Sequence, residues 1–286
     1  MPPLPGAATR ERNVVSFSLF GGDSKYCETA VLNALDQPRI YPHWTCRFYV
    51  DDSVPAHTRR RLVEAGAQVV VPDSVAARWP GPMWRFLALD DPHVDRALFR
   101  DADSVVSMRE ADAVDAWLQS GKHFHAMRDS GTHTELLLAG LWGAVRGSLP
   151  PLRDLMRRFL ARAPESAHFA DQYFLREYVW PHARRSLLQH DSVFGFLDAS
   201  PFPGGPTPDD FHVGCSEGST RFSAPTTLPD GTDVEWRLYR TGDGQLVCAY
   251  PARVHAGAVD AHLPARYARW IEERRAFIGI VRPGDA

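Results

Sequence analysis

Short apolar runs closed by Gly, Asp or Pro alternate with longer segments of helical period through the first half of the chain. Residues 14–22 (VVSFSLFGG) read as a strand ending on two glycines. Residues 24–37 follow as a helix, with Tyr26, Ala30, Leu32 and Leu35 at amphipathic spacing. Residues 46–50 (CRFYV) form a second strand with Asp51, Asp52 and Ser53 at its carboxyl end. A helix over 55–65 begins with a proline where helices tolerate one. Residues 67–72 (AQVVVP) make a third strand stopped by proline. Such alternation predicts an α/β protein, a single Rossmann-like domain whose mainly parallel central sheet is covered by helices, with ligands at the carboxyl ends of the strands. Gly21, Gly22, Asp23, Asp51 and Asp52 all fall at those ends, and no GxGxxG is present to suggest an ordinary dinucleotide fold.

Further along, residues 78–95 contain a Pro-Gly-Pro turn and a short helix whose Trp84, Leu87 and Ala88 face the core while Arg85 points elsewhere. The chain then enters residues 97–107 (ALFRDADSVVS), a buried strand leading to two carboxylates, Asp101 and Asp103, and out through a strand-like Val105-Val106-Ser107. Residues 110–120 are a helix, 122–129 a strand carrying His123 and His125 on one face, and 152–163 an amphipathic helix. Residues 169–183 form a helix from Asp171 to its stop at Pro181. Residues 198–220 are rich in Pro, Gly and Ser, too long for a plain connection and suited to a binding loop. A hairpin over 235–254, a helix over 264–275 and a last apolar strand close the chain. The expected organisation is a disordered start over 1–12, a catalytic domain over 13–230, and a hairpin and helix over 231–286 packed on the same domain.

Composition narrows the classes. A chain of 286 residues with 44% hydrophobic content supports a substantial core. Thirty-two basic and 35 acidic residues are mixed without a basic stripe, which speaks against a nucleic-acid partner. The four cysteines form no CxxC pair, so a reducing, cytoplasmic setting is expected. No apolar run approaches the roughly 18 to 20 residues of a membrane span, and the first residues lack the apolar core of a signal peptide.

Asp101 and Asp103 carry the chemistry. Side by side at a buried strand end they would repel, and each would cost several kcal/mol, roughly, to desolvate, so a cation is a reason to keep both ionised. Hard divalent ions take such oxygen ligands and complete their shell with water and diphosphate oxygens. The competing explanation is a cap, with Asp103 or Ser104 closing a turn or the following helix. Arg85 has two readings, a fork for phosphate oxygens or an ion pair with Asp90 or Asp91. Trp142 and Gly143 either shape a pocket or belong to the core, and His123 with His125 either ligate a metal or line one strand face.

The order of these features resembles the GT-A-type glycosyltransferases, which use nucleoside-diphosphate sugars and carry an Asp-x-Asp metal motif. The strand with a glycine-rich end, the strand ending in Asp51-Asp52-Ser53, the Arg85 helix and LFRDADSVV all fit. ADQYFL (170–175) and FHVG (211–214) resemble the Asp-Gln and His-x-Gly segments of the retaining lipopolysaccharide galactosyl/glucosyltransferase and glycogenin group. Two departures stand out: no second acidic residue follows Gln172, and no Lys-Pro-Trp follows His212. The resemblance spans residues 14–215. It implies transfer of a sugar from a nucleoside-diphosphate sugar to a hydroxyl acceptor such as a saccharide, a lipid-linked saccharide or a small molecule, the retaining outcome slightly favoured. Mn²⁺ or Mg²⁺ would be held by Asp101, Asp103 and His212, with His190 the competitor for the third place. Asp171 and Gln172 would be catalytic, and Phe20, Gly21, Asp51, Asp52, Arg85, Asp101, Trp142 and Gly143 would bind the donor. The rivals are a metal-dependent nucleotidyl or phosphoryl transferase, which usually needs a phosphate loop richer in glycine and basic residues, and a non-catalytic nucleotide- or sugar-binding protein.

Overall fold

The computed structural model describes residues 12–163, 166–167, 169–205, 211–215 and 220–284. Apart from Arg12, whose backbone N–H donates to Asp95 at 2.8 Å, the expected disordered start lies outside the described residues. A seven-stranded sheet organises the chain, in the order β3-β2-β1-β4-β6-β5-β7. Its strands are β1 (Asn13–Leu19), β2 (Trp44–Val50), β3 (Gln68–Val70), β4 (Arg96–Arg100), β5 (Phe124–Arg128), β6 (Trp142–Val145) and β7 (Leu187–Asp191). All neighbours are parallel except β6, which runs against both β4 and β5. The α/β class and the mainly parallel sheet are as expected.

That one reversal shapes the molecule's working edge. The carboxyl ends of β1, β2, β4, β5 and β7 share it, and the segment entering β6 arrives there too. Helix α1 (Ser24–Ile40) and helix α2 (Ala56–Glu64) follow the first two strands. In α1 the expected Ala30 and Leu32 meet the core together with Cys27, Val31 and Ala34, while the expected Tyr26 and Leu35 are exposed, so the buried stripe is partly rotated from the expected one.

Alternation in β1 sorts the two faces of the sheet. Val15, Phe17 and Leu19 join a core with Phe48 and the C-terminal aromatics Trp236, Tyr250 and Tyr267. On the other face the strand carries serines. Ser16 Oγ donates to the Arg85 carbonyl at 2.7 Å, and Ser18 Oγ accepts from the Arg85 N–H at 2.9 Å. Two hydroxyls in a buried strand thereby pin a 3₁₀ helix (Gly81–Asp90) across the sheet. Phe86 of that helix packs with Phe99, Trp142 and Phe174 in the second core.

Several expectations are corrected. Val105–Ser107 is no strand: β4 ends in a turn, and α3 (Met108–Gln119) starts directly behind it with Ser107 as its cap, accepting from Glu110 N–H. Pro181 does not stop its helix. Helix α4 (Leu152–Leu160) is followed by α5 (Ala170–Phe174), a π-helical turn (Leu175–Val179) and α6 (Trp180–Ala183). Pro181 stands directly behind the π-helical turn, where the hydrogen-bond register changes and the missing N–H is accommodated. Strands β6 and β7 escaped prediction because glycines break the first and arginines precede the second.

The last part of the chain forms two small sheets. β9 (Asp233–Arg240) pairs antiparallel with β10 (Leu246–Arg253), the expected hairpin, and with β12 (Ala276–Val281), while β8 (Thr220–Pro225) pairs with β11 (Ala258–Leu263). Helix α7 (Ala265–Glu272) lies between β11 and β12 in sequence. Glu28 of α1, fully buried, fastens this region to the main sheet: it accepts from Arg61 of α2 at 2.6 and 2.9 Å and from the Tyr250 hydroxyl at 2.6 Å. Among the described residues no helix is long and apolar enough to cross a membrane.

Candidate active site

A cleft of about 420 Å³ opens at the carboxyl edge of β1 and β4, lined by Ser18, Phe20, Tyr26, Arg85, Asp101, Asp103 and Asp171 among others. Three elements distant in sequence converge there because the serines of β1 place Arg85 directly under the end of β4. Arg85 does not point away from the core; its side chain is 3% exposed. One guanidinium nitrogen donates to Asp101 Oδ1 at 2.6 Å and the other to Asp171 Oδ2 at 2.7 Å. Neither of its two expected partners, Asp90 and Asp91, is used: Asp90 accepts from the N–H groups of Leu152 and Arg153, and Asp91 pairs with Arg47.

Asp171 is buried in the first turn of α5 and faces Arg85, without serving as the helix cap. Its second oxygen accepts from the Gln172 N–H at 2.9 Å. Burial pushes its carboxyl above the ordinary carboxylate range; the Arg85 charge opposes this and the nearby Asp101 charge adds to it. The Gln172 side chain is engaged with the backbone of the neighbouring loop. Its amide accepts from Ala139 N–H and donates to the Leu137 carbonyl, each at 2.7 Å, holding the segment that leads into β6. Gly140 in that segment lies against Asp101: a Cβ there would stand 2.6 Å from Asp101 Cγ and closer still to Oδ2. The glycine is needed for space, not for an unusual dihedral.

Asp103, at 23% side-chain exposure, is held by Lys25 of α1 at 3.0 Å. On the cleft's other flank Phe20 and Tyr26 are both roughly half exposed. The Phe20 ring lies edge-on to Trp84 and fills the place of a side chain at Gly81. Gly21 has φ +79, a left-handed turn at the strand end, and its N–H donates to Ser53 Oγ at 2.6 Å. Asp51 accepts from Ser53 as well, and Asp52 is fully exposed beside Arg59. Asp51 thereby holds the turn after β2 on which Gly21 docks through Ser53, and neither aspartate is among the residues lining the cleft.

Trp142 and Gly143 lie in the core. Trp142 is fully buried against Phe99, and a Cβ at Gly143 would meet Leu98 and the Ala97 carbonyl. His190 and His125 are buried partners across β5 and β7, Nδ1 to Nε2 at 2.8 Å, while His123 is exposed just before β5, so His123 and His125 do not line one exposed strand face. Burial, with Arg109 nearby, lowers the His190 pKa to about 4. His212 sits in a turn whose Gly214 carbonyl accepts from Ser104 at 3.0 Å and whose Val213 N–H donates to Asp129 at 2.9 Å. That turn therefore borders the Asp101–Ser104 turn, but among the described residues no group of three His, Cys, Asp or Glu side chains is drawn together for a metal ion.

The donor set still suits a hard cation. Asp101 and Asp103 offer oxygen only, the space left by Gly140 admits the Asp101 carboxylate, and Mg²⁺-like ions commonly use one or two carboxylates with water and substrate phosphates. Beyond the cleft, a second cavity of about 270 Å³ is lined by Arg128, His133, Thr134, Glu135 and the rings of Phe194 and Phe196. The loop bearing those rings is fixed by Asp191, which accepts from the N–H groups of Val193 and Phe194 at 2.8 and 2.7 Å. Leu197 and Asp198 hold left-handed φ of 51° and 54°. The residue pattern assigns no element to residues 193–197, and the exposed aromatic loop is a finding of the structure.

No protein-family model matches the chain, and no curated protein does. Among solved structures it is similar to the apo-form glycosyltransferase GlyE of Streptococcus pneumoniae TIGR4, at 21% identity over 63% of this chain and 45% of that one, with a TM-score of 0.42. It is also similar to a glycosyltransferase involved in glycosylation of the major capsid of PBCV-1, at 15% identity over 63% and 81% of the two chains, with a TM-score of 0.39. A third is glucosyl-3-phosphoglycerate synthase from Mycobacterium tuberculosis in complex with Mn²⁺ and uridine-diphosphate-glucose, at 16% identity over 51% and 63%, with a TM-score of 0.36. The chain thus spans less than half the length of the first of these. Likenesses of this degree leave the chemistry to be argued from the chain's own residues.

Proposed function

We propose that the protein is a metal-dependent glycosyltransferase that moves a sugar from a nucleoside-diphosphate sugar to a hydroxyl acceptor. The observation that carries this reading is the Arg85 fork, which ties Asp101, at the end of β4, to Asp171 beside the same cleft. A divalent cation on Asp103 and Asp101 would supply charge neutralisation at the leaving diphosphate. Asp101 and Asp103 orient the diphosphate end of the donor, and Phe20 and Tyr26 offer flat apolar surfaces to its base. Asp171 meets the sugar. Both of its oxygens are engaged, by Arg85 and by the Gln172 N–H, so it is fixed in place as a counter-charge for an oxocarbenium-like state, which supports the retaining outcome over the inverting one. Phe194 and Phe196, with the carboxylate of Glu135 and the hydroxyl of Thr134, form the acceptor side, where rings cover a sugar face and polar groups take its hydroxyls. The binding loop expected over 198–220 falls in part outside the described residues.

The test is a panel of UDP- and GDP-sugars with Mn²⁺, read by thermal shift and by donor hydrolysis, with the product anomer read by NMR when an acceptor is found. Slow donor hydrolysis is expected, and D103A should lose about 100-fold of it or more, the scale of removing one electrostatic stabiliser. Preference for a triphosphate over a diphosphate would move the reading to nucleotidyl transfer. Full activity in D103A would sink the metal-site assignment.

A further inference from the structure

The two carboxylates of the Asp101–Asp103 pair are held by cations of different kinds. Arg85, on Asp101, cannot leave: its backbone is bonded on both sides to Ser16 and Ser18, its guanidinium is shared with Asp171, and its side chain is 3% exposed. Lys25, on Asp103, is a single flexible arm from the first turn of α1, 25% exposed, making one ion pair at 3.0 Å. Its backbone is fixed by the Asp23 cap, whose carboxylate accepts from the Lys25 N–H at 2.8 Å, while the ammonium stands 4.9 Å from the ring centre of Tyr26, a residue of the cleft wall.

We propose that Lys25 is an exchangeable counter-ion: it holds Asp103 while the cleft is empty and turns onto the diphosphate when a divalent cation takes Asp103. This rests on the metal-dependent reading above. The physical argument is local. A divalent cation on Asp103 and an ammonium 3.0 Å from the same carboxylate are like charges competing for one pair of oxygens. The ammonium has three donors on a four-carbon stem and can be redirected without moving the helix. The diphosphate is the negative group that arrives with the metal, at the N-terminal end of α1, where partial positive charge from the helix adds to its attraction. Lys25 then has two opposite effects, weakening metal binding to the empty cleft and strengthening diphosphate binding to the metal-loaded one.

Mn²⁺ alone, and then UDP and GDP at saturating Mn²⁺, should be titrated into the full chain, K25M and K25R by calorimetry and by the Mn²⁺ spin signal, with circular dichroism to verify folding. K25M should bind Mn²⁺ alone about threefold or more tightly, and the preferred diphosphate about tenfold more weakly, the scale of one lost charge-assisted contact. K25R keeps the charge and should stay near the parent chain in both. A Mn²⁺ affinity unchanged or weakened in K25M would overturn the exchange, even with weaker diphosphate binding, and would leave the metal-dependent reading standing. Binding by K25M alone would support it, with Lys25 as the block. Failure of both the parent chain and K25M to bind Mn²⁺ would overturn the metal-dependent reading and this inference together.

Discussion

Gly140 shows how small a change can disable the cleft. Its Cα hydrogen is all that separates the backbone from the Asp101 carboxylate, so G140A must push that carboxylate off Arg85 or push the entry to β6 off the sheet. Overpacking of this kind costs about 1–3 kcal/mol. The expected outcome is a folded protein with a modestly lowered unfolding midpoint in urea and at least tenfold weaker Mn²⁺-dependent donor binding. Asp101 and Asp103 were legible in the sequence as a pair of carboxylates one residue apart at the end of an apolar strand, and both line the cleft. The Arg85 fork was only half legible. Arg85 was named, but its partners lie 16 and 86 positions away, and nothing local reveals that Ser16 and Ser18 turn inward to seat its helix. Gln172 was legible as a motif residue, whereas its clamp on Leu137 and Ala139 depends on a loop whose path no periodicity encodes.

At the scale of elements, the pairing of β5 with β7 carries a buried histidine pair where most strands would place aliphatic residues. His190 is neutral in the folded protein, with its pKa lowered to about 4, and titrates near 6.5 when unfolded. The unfolded chain therefore binds the extra proton first, so stability present above pH 6.5 is lost as pH falls toward 4. Between pH 7 and pH 5 this one residue should remove about 2 kcal/mol. Urea unfolding at the two pH values checks it: H190N, which keeps a hydrogen-bonding side chain and cannot titrate, should show the smaller loss. Element type was legible wherever period and punctuation agreed, as in β1, β2, α4 and the β9–β10 hairpin. It was lost at β6, β8 and β11, whose strand character comes from the partners they pair with.

Across the whole molecule, Glu28 is the joint between the main sheet and the C-terminal sheets. It is fully buried, with a guanidinium on one side and a phenol on the other. Y250F removes one hydrogen bond to a charged acceptor and should lower stability by about 1.5–3 kcal/mol, read by urea denaturation, while Mn²⁺ binding in the cleft, whose lining does not include Tyr250, stays within twofold. A parallel sheet with a reversed strand was legible as a class from the alternation of strands and helices, but not the reversal itself, since antiparallel insertion leaves no mark on a four-residue apolar run.

The Glu28–Tyr250 bond joins positions 222 residues apart. During synthesis α1 and the strands beside it emerge long before their partner, at about 5–20 residues per second. For ten seconds or more, on the order of 222 residues at that rate, the core shared by β1, α1 and α2 lacks the aromatic layer of Trp236, Tyr250 and Tyr267 that completes it. Until the last fifth of the chain arrives, Glu28 has Arg61 and not yet Tyr250 as its partner.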